Sequence, residues 1–188
     1  MAKTREVCQL RAHLQDISPQ IWRRFLVPAE IRLDRLHIAI QRVMGWENYH
    51  LHQFTIANRR YGVPDPDFGD DPDLIDEKNV RLKDFLKDAP FEYLYDFGDG
   101  WSHEIRLEAI RPRDESAPCP RCLAGKLACP PEDCGGPHGY VHYLDAIEIP
   151  THEDHDDMLA WRGPFDPNVF SVEDASAALA TAFRLRKK

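Results

Sequence analysis

The chain has 188 residues, 43% of them hydrophobic and 30% charged, with a formal net charge of −8. This is the make-up of one globular domain able to bury a proper core, and it argues against both a disordered chain and a nucleic-acid binder with an overall basic surface. No apolar run reaches the roughly 20 residues that cross a bilayer, and MAKTREVCQL lacks the apolar stretch of a secretory signal, so a cytoplasmic location without membrane attachment is expected. The charge is uneven: residues 1–60 carry ten Lys/Arg against five Asp/Glu, and the remainder fourteen against twenty-seven. A local basic patch on the N-terminal half stays open, beside the simpler reading of an ordinary mixed surface.

In chain order, VCQLRAHLQDI (7–17) alternates apolar and polar positions as a half-buried strand does, Ser18-Pro19 makes a turn, and IWRRFLVP (21–28) predicts the strand that pairs back. Leu33, Leu36, Ile40, Val43 and Met44 recur at helical spacing, and Gly45 follows as a C-cap, which predicts a helix over 33–44. WENYHLHQFTI (46–56) runs from a turn into a strand. DPDFGDDPDLIDE (65–77) is acidic and proline-containing; it lacks the Asp-x-Asp-x-Asp-Gly spacing of a calcium-binding EF-hand and reads as a solvated loop. VRLKDFL (80–86) predicts a short helical turn. FEYLYDFGDGWSHEIRLEAI (91–110) predicts a hairpin, with Asp99-Gly100 as its tight turn.

Helices are then expected over 139–147, over 150–163 (Thr151 as cap, Gly163 as stop) and from Ser171 onward, the last one ending in Arg184, Arg186, Lys187 and Lys188. The order predicts one α+β domain, β-grasp-like, with a mixed sheet and a covering helix. Residues 1–110 form the sheet core, 111–138 a Cys-rich loop and 139–188 a helical part.

CPRCLAGKLACPPEDCGGPHGY (119–140) holds four of the five cysteines and few apolar side chains with which to fold by burial. Cys119, Cys122, Cys129 and Cys134, with His138 as an alternative ligand, could hold a structural zinc ion. Against this stand the wide spacing of the second pair and the alternative of ordinary reduced thiols. His50-Leu51-His52 places two imidazoles two residues apart, as a metal-dependent nucleic-acid enzyme with a tyrosine nucleophile would want; packed or surface histidines are the plainer reading. Asp96, Asp99 and His103 around the DFGDG turn could form an acid/base set, although turn chemistry alone explains Asp99 and the glycines. His152 and His155 could share a helix face, with an acidic solvated helix start as the alternative. Trp22, Arg23, Arg24, Trp46 and Trp101 interleave aromatic and basic side chains that could meet bases and phosphates, unless the tryptophans are core.

IWRRFLVP, VMGWENYHLHQF, YDFGDGWSHEI and ACPPEDCGGPHGY, in this order, resemble the plasmid pRiA4b ORF-3-like family, and the likeness runs from about Val7 to about Phe170. The resemblance implies occurrence in bacteria and archaea beside plasmids and transposable elements, and a pattern that includes Cys122, Cys129 and Cys134. Some members carry a resolvase-like label; here the N-terminal half offers only Ser18, in a Ser-Pro turn, as a serine nucleophile. The expectation is a binding or adaptor module with a structural zinc site and an unknown protein or nucleic-acid partner. The alternative is a metal-dependent nuclease or recombinase-like enzyme using His50 and His52. A third possibility is a partner surface on the acidic loop and C-terminal helices.

Overall fold

The structure, a computed structural model, describes residues 5–64 and 71–184. Residues 65–70 of the acidic segment and the basic end at Arg186, Lys187 and Lys188 lie outside the described residues; the rest of that segment is not all solvated loop, since Leu74–Asp76 form a strand and Glu77 is buried. Among the described residues eight strands form one sheet: β1 (Glu6–Leu14), β2 (Trp22–Pro28), β3 (His52–Ile56), β4 (Arg59–Gly62), β5 (Leu74–Asp76), β6 (Phe91–Tyr95), β7 (Trp101–Pro112) and β8 (Arg121–Lys126). Their spatial order is β5-β4-β3-β6-β7-β1-β2-β8, antiparallel throughout except for β4 with β5. Four α-helices are found among the described residues: α1 (Leu33–Met44), α2 (Gly136–Glu148), α3 (His155–Arg162) and α4 (Val172–Ala182). The expected α+β class, with strand, strand, helix and return to a mixed sheet, is observed.

The alternation in β1 works as read: Cys8, Leu10, Ala12 and Leu14 are buried, while Gln9, Arg11 and His13 are half-covered. On β2 the same parity buries Phe25, Val27 and, with them, Arg23. Arg23 survives burial because its guanidinium donates to the carbonyls of Val43 (2.8 Å), Trp22 and Lys126, and the Phe170 ring stacks on it at 3.9 Å. Helix α1 turns Leu33, Leu36, Ile40 and Val43 to the core and ends where expected, at Gly45 with φ +110° and its N–H on Gln41. It packs between β2 and α4.

Several expectations shift. The 91–110 hairpin has a five-residue loop rather than a tight Asp99-Gly100 turn, because Tyr95 pairs with Trp101. The cysteine-rich segment contributes an edge strand, β8, paired with β2 and closed outside by Ser176, whose hydroxyl accepts from Cys122 N and donates to Cys122 O. Helix α2 starts inside the Pro/Gly run, with Pro137 in its first turn. Helix α3 begins only at His155, after turns, and Thr151 does not cap it. Ser171 does cap α4, accepting from Asp174 N at 3.0 Å.

Candidate functional site

Three loops meet at one end of the sheet: 45–51 between α1 and β3, 96–100 between β6 and β7, and 127–135 between β8 and α2. The first is tied down almost residue by residue. Trp46 Nε1 donates to Pro130 O (3.1 Å), Glu47 N to Glu132 Oε1 (2.9 Å), and Asn48 Oδ1 meets His37 Nε2 (2.6 Å). The Tyr95 hydroxyl accepts from Tyr49 N (3.1 Å) and His50 N (3.4 Å) while donating to Glu132 Oε1 (3.0 Å). In the second loop Asp96, at φ +55°, accepts Gly98 N on Oδ1 (2.8 Å), which leaves Oδ2 pointing elsewhere. The third loop is clasped to the second: Gly135 N donates to Asp99 Oδ2 (3.1 Å), and a Cβ on Gly136 would lie 2.2 Å from Asp99 O.

This convergence gathers a histidine and three carboxylates. His50 Nε2 lies 3.0 Å from Asp133 Oδ1, 3.6 Å from Asp96 Oδ2 and 3.9 Å from Glu132 Oε2. That nitrogen is shielded from solvent, yet no partner stands at hydrogen-bonding geometry to it. Glu132 and Asp96 are nearly buried, whereas the Asp133 side chain is 66% exposed, so the cluster has a dry floor and an open mouth. Asn48, Asp96 and Asp133, one from each loop, all hold positive φ (+67°, +55°, +58°), a conformation that costs an L-residue energy and that collects at functional sites. Tyr49, Leu51 and Phe97, neighbours in sequence of His50 and Asp96, are exposed. An imidazole with carboxylates suits a first-row divalent cation such as Mn²⁺, Fe²⁺, Co²⁺ or Zn²⁺.

Of the residues expected to carry chemistry, His50 and Asp96 fall in this cluster. His52 does not: on β3 its Nε2 meets the buried carboxylate of Glu77 at 2.8 Å, and its ring stacks on His37 at 3.5 Å. His37 also reaches the Tyr93 hydroxyl (2.8 Å); burial, with His52 beside it, pushes its imidazole down to about 3. His52 therefore belongs to the scaffold that holds Asn48. His103 is fully buried, its Nδ1 directed at the carbonyls of Tyr93 and Trp101 and its ring against Trp46. It is core, remote in role from Asp96.

The cysteines are dispersed over different supports. Cys122 on β8 donates weakly to the Arg24 and Ala124 carbonyls, Cys119 precedes that strand, and Cys129 and Cys134 flank the Pro-Pro-Glu-Asp stretch. Burial raises all four thiols, Cys134 to about 12. Among the described residues, two groups of three or more potential ligand atoms lie within 4.8 Å of one another, and neither contains a cysteine or His138, which is exposed on α2. The premise for a zinc ion there was a segment with nothing else to hold it. The β2–β8 pairing and the hydrogen bonds from Trp46, Glu47 and Ser176 already give the segment a hold of its own.

His152 and His155 separate as well, since His155 Nδ1 turns to Ala146 O (2.8 Å) and His152 faces His142 and Asp154. Trp46, Trp101 and Arg23 are buried, which leaves Trp22, with Arg11 and Arg24 over its ring, as the remnant of the proposed aromatic-basic surface. Glu132 and Asp133 were missed in the sequence. The signal that could have found them is that the segments VMGWENYHLHQF, YDFGDGWSHEI and ACPPEDCGGPHGY, which carry the family likeness, each deliver a side chain to this cluster.

A family model described as "Plasmid pRiA4b ORF-3-like protein" matches residues 6–174. The "Uncharacterized protein y4hQ" of Sinorhizobium fredii is 42% identical over 163 residues, covering 85% of this chain and 82% of that protein. The crystal structure of a protein of unknown function, MM3350, from Methanosarcina mazei superposes with a TM-score of 0.84 at 39% identity, over 92% of this chain and 98% of that one.

Proposed function

The chain belongs to the plasmid pRiA4b ORF-3-like family, and from that premise we propose that it is a binding module whose working face is built around one divalent cation held by His50, Asp96 and Asp133, with Glu132 behind them. The observation that carries this reading is His50 Nε2, enclosed by three carboxylates at 3.0–3.9 Å with no hydrogen-bond partner of its own. A protonated imidazole offers one Nε2–H to this crowd; a divalent ion offsets two of the three negative charges and takes the Nε2 lone pair as a ligand together with carboxylate oxygens. The plasmid in the family's name supports work beside a mobile element, in the cytoplasm.

The test is metal analysis and thermal denaturation of the purified chain after EDTA and after addition of Mn²⁺ or Zn²⁺. About one equivalent is expected to bind. Stabilisation at a hundredfold excess over Kd is about 2.7 kcal/mol, a rise of roughly 5–10 °C in Tm for a chain of this size. His50→Ala and Asp133→Asn should remove that rise. A chain that gains nothing from either ion, or gains equally with His50 replaced, would sink the reading.

A second reading follows from the open mouth at Asp133 and the exposed Tyr49 and Phe97 beside it: a metal-dependent enzyme on single-stranded nucleic acid, with the ion polarising a phosphate and the rings stacking on bases. His52, paired with Glu77, takes no part in this version. Cleavage of labelled single strands in Mn²⁺ that disappears with His50→Ala supports it; strands left intact by the wild type remove it.

A further inference from the structure

We infer that His142, His152 and Asp154 form a second cation site, separate from the three-loop cluster and suited to a first-row transition ion. The three side chains offer ligand atoms within 4.8 Å of one another. His142 Nε2 lies 3.0 Å from Asp154 Oδ2, His152 Nδ1 lies 4.0 Å from the same oxygen, and the two imidazole rings meet edge to face at 5.2 Å. They come from two elements, His142 from the middle of α2 and the other two from the turns that lead into α3. Two imidazoles with one carboxylate are the donor set of open transition-metal sites, and the half-exposed position of His142 and Asp154 leaves room for water on the ion. The hydrogen bond from Asp154 N to His152 Nδ1 (3.1 Å) turns that ring toward the carboxylate; coordination through Nδ1 exchanges this bond for the ion.

An independent observation points to a ligand here. Helix α3 has eight residues and none of them is buried. It is tied to the molecule by partly covered side chains: His155 on the Ala146 carbonyl, Trp161 edge-on to Tyr143 at 5.6 Å, Met158 partly packed against the core, and Leu159 beside Leu144 and Ile147 of α2. A helix this short is marginal without tertiary support. An ion bridging α2 to residues 152–154 fixes the α3 entry and adds anchorage to these partly exposed contacts.

The test uses the full chain carrying His50→Ala and Asp133→Asn, so that only this site remains, titrated with Zn²⁺ and separately with Cu²⁺. One equivalent is expected, with nitrogen couplings from two imidazoles in the Cu²⁺ electron paramagnetic resonance spectrum. Zn²⁺ should slow amide exchange across residues 150–163 at least threefold. Adding His142→Gln and His152→Gln should abolish the equivalent, the couplings and the slowing together. Absence of a bound equivalent, or binding and exchange that survive the loss of both histidines, overturns the inference. Neither outcome bears on the three-loop site, which is judged by the effect of His50→Ala on the otherwise unaltered chain.

Discussion

His37 and His103 show how far a single side chain can be committed to the interior. Burial lowers His37 to about 3, helped by His52 stacked on it and by Arg42, and lowers His103 to about 4 against the pull of two backbone carbonyls. Both therefore stay neutral in the folded chain at pH values where the unfolded chain binds the proton. For a histidine depressed in this way, the stabilising contribution is complete above the unfolded value near 6.5 and shrinks as pH falls from there toward 4 and 3. At pH 5 each withholds about 2 kcal/mol, so unfolding free energy should drop by roughly 4 kcal/mol between pH 7.5 and pH 5. Urea titrations in EDTA at the two pH values measure this, with His37→Gln and His103→Gln each expected to flatten the dependence. Equal urea midpoints at both pH values in the unaltered chain would show that these rings accept protons without unfolding.

Among the elements, what could be read from the sequence depended on whether the signals were local. Helix α1 declared itself through its apolar stripe and Gly45, and both ends fall where expected. Strand β4 was invisible because the turn before it is Ala57-Asn58, both at positive φ (+48° and +60°), with no glycine to announce it. Strand β8 was hidden by the Pro and Gly around it, which rule out a central strand but permit an edge one. The DFGDG loop misleads because Asp99-Gly100 matches a two-residue turn, whereas the Asp96 carboxylate organises the loop by accepting Gly98 N and Asp99 N. That loop and the 127–135 loop approach so closely that Gly136 has no room for a side chain. Gly136→Ala adds a contact at 2.2 Å to backbone on top of a φ of +70°, and strain with overpacking should cost roughly 2–4 kcal/mol. Gly163, at φ +75° and ψ −170° with open space around it, tests a backbone penalty without a steric clash: Gly163→Ala should cost about 1–3 kcal/mol. Chemical denaturation of both variants compares them, and equal losses would mean that the two loops yield freely.

Across the whole molecule, the candidate metal centre was half legible. His50 and Asp96 stood out as a histidine and an acid beside turns, but nothing local links them to Glu132 and Asp133; only the sheet order, which sets β3 beside β6 and carries the chain back from β8, brings the three loops to one end. Tyr95 is the post they share. Its hydroxyl holds the 45–51 loop by two backbone amides and the 127–135 loop through Glu132, and it rests against Trp46 at 4.9 Å. Tyr95→Phe keeps the ring and removes these bonds, leaving two backbone amides and a buried carboxylate short of a partner, for a loss of roughly 1–3 kcal/mol. Because both loops hang on one oxygen, the effect should not be confined to the site of substitution. Amide exchange should quicken together at residues 47–50 and 132–135, while the β1–β2–β7 amides stay as protected as before. Metal affinity should fall in the same variant even though no proposed ligand has changed, since the ion meets carboxylates no longer held in place. If exchange quickens in the 45–51 loop alone, Glu132 is held by Glu47 N without help from the hydroxyl, and the three loops do not act as one unit.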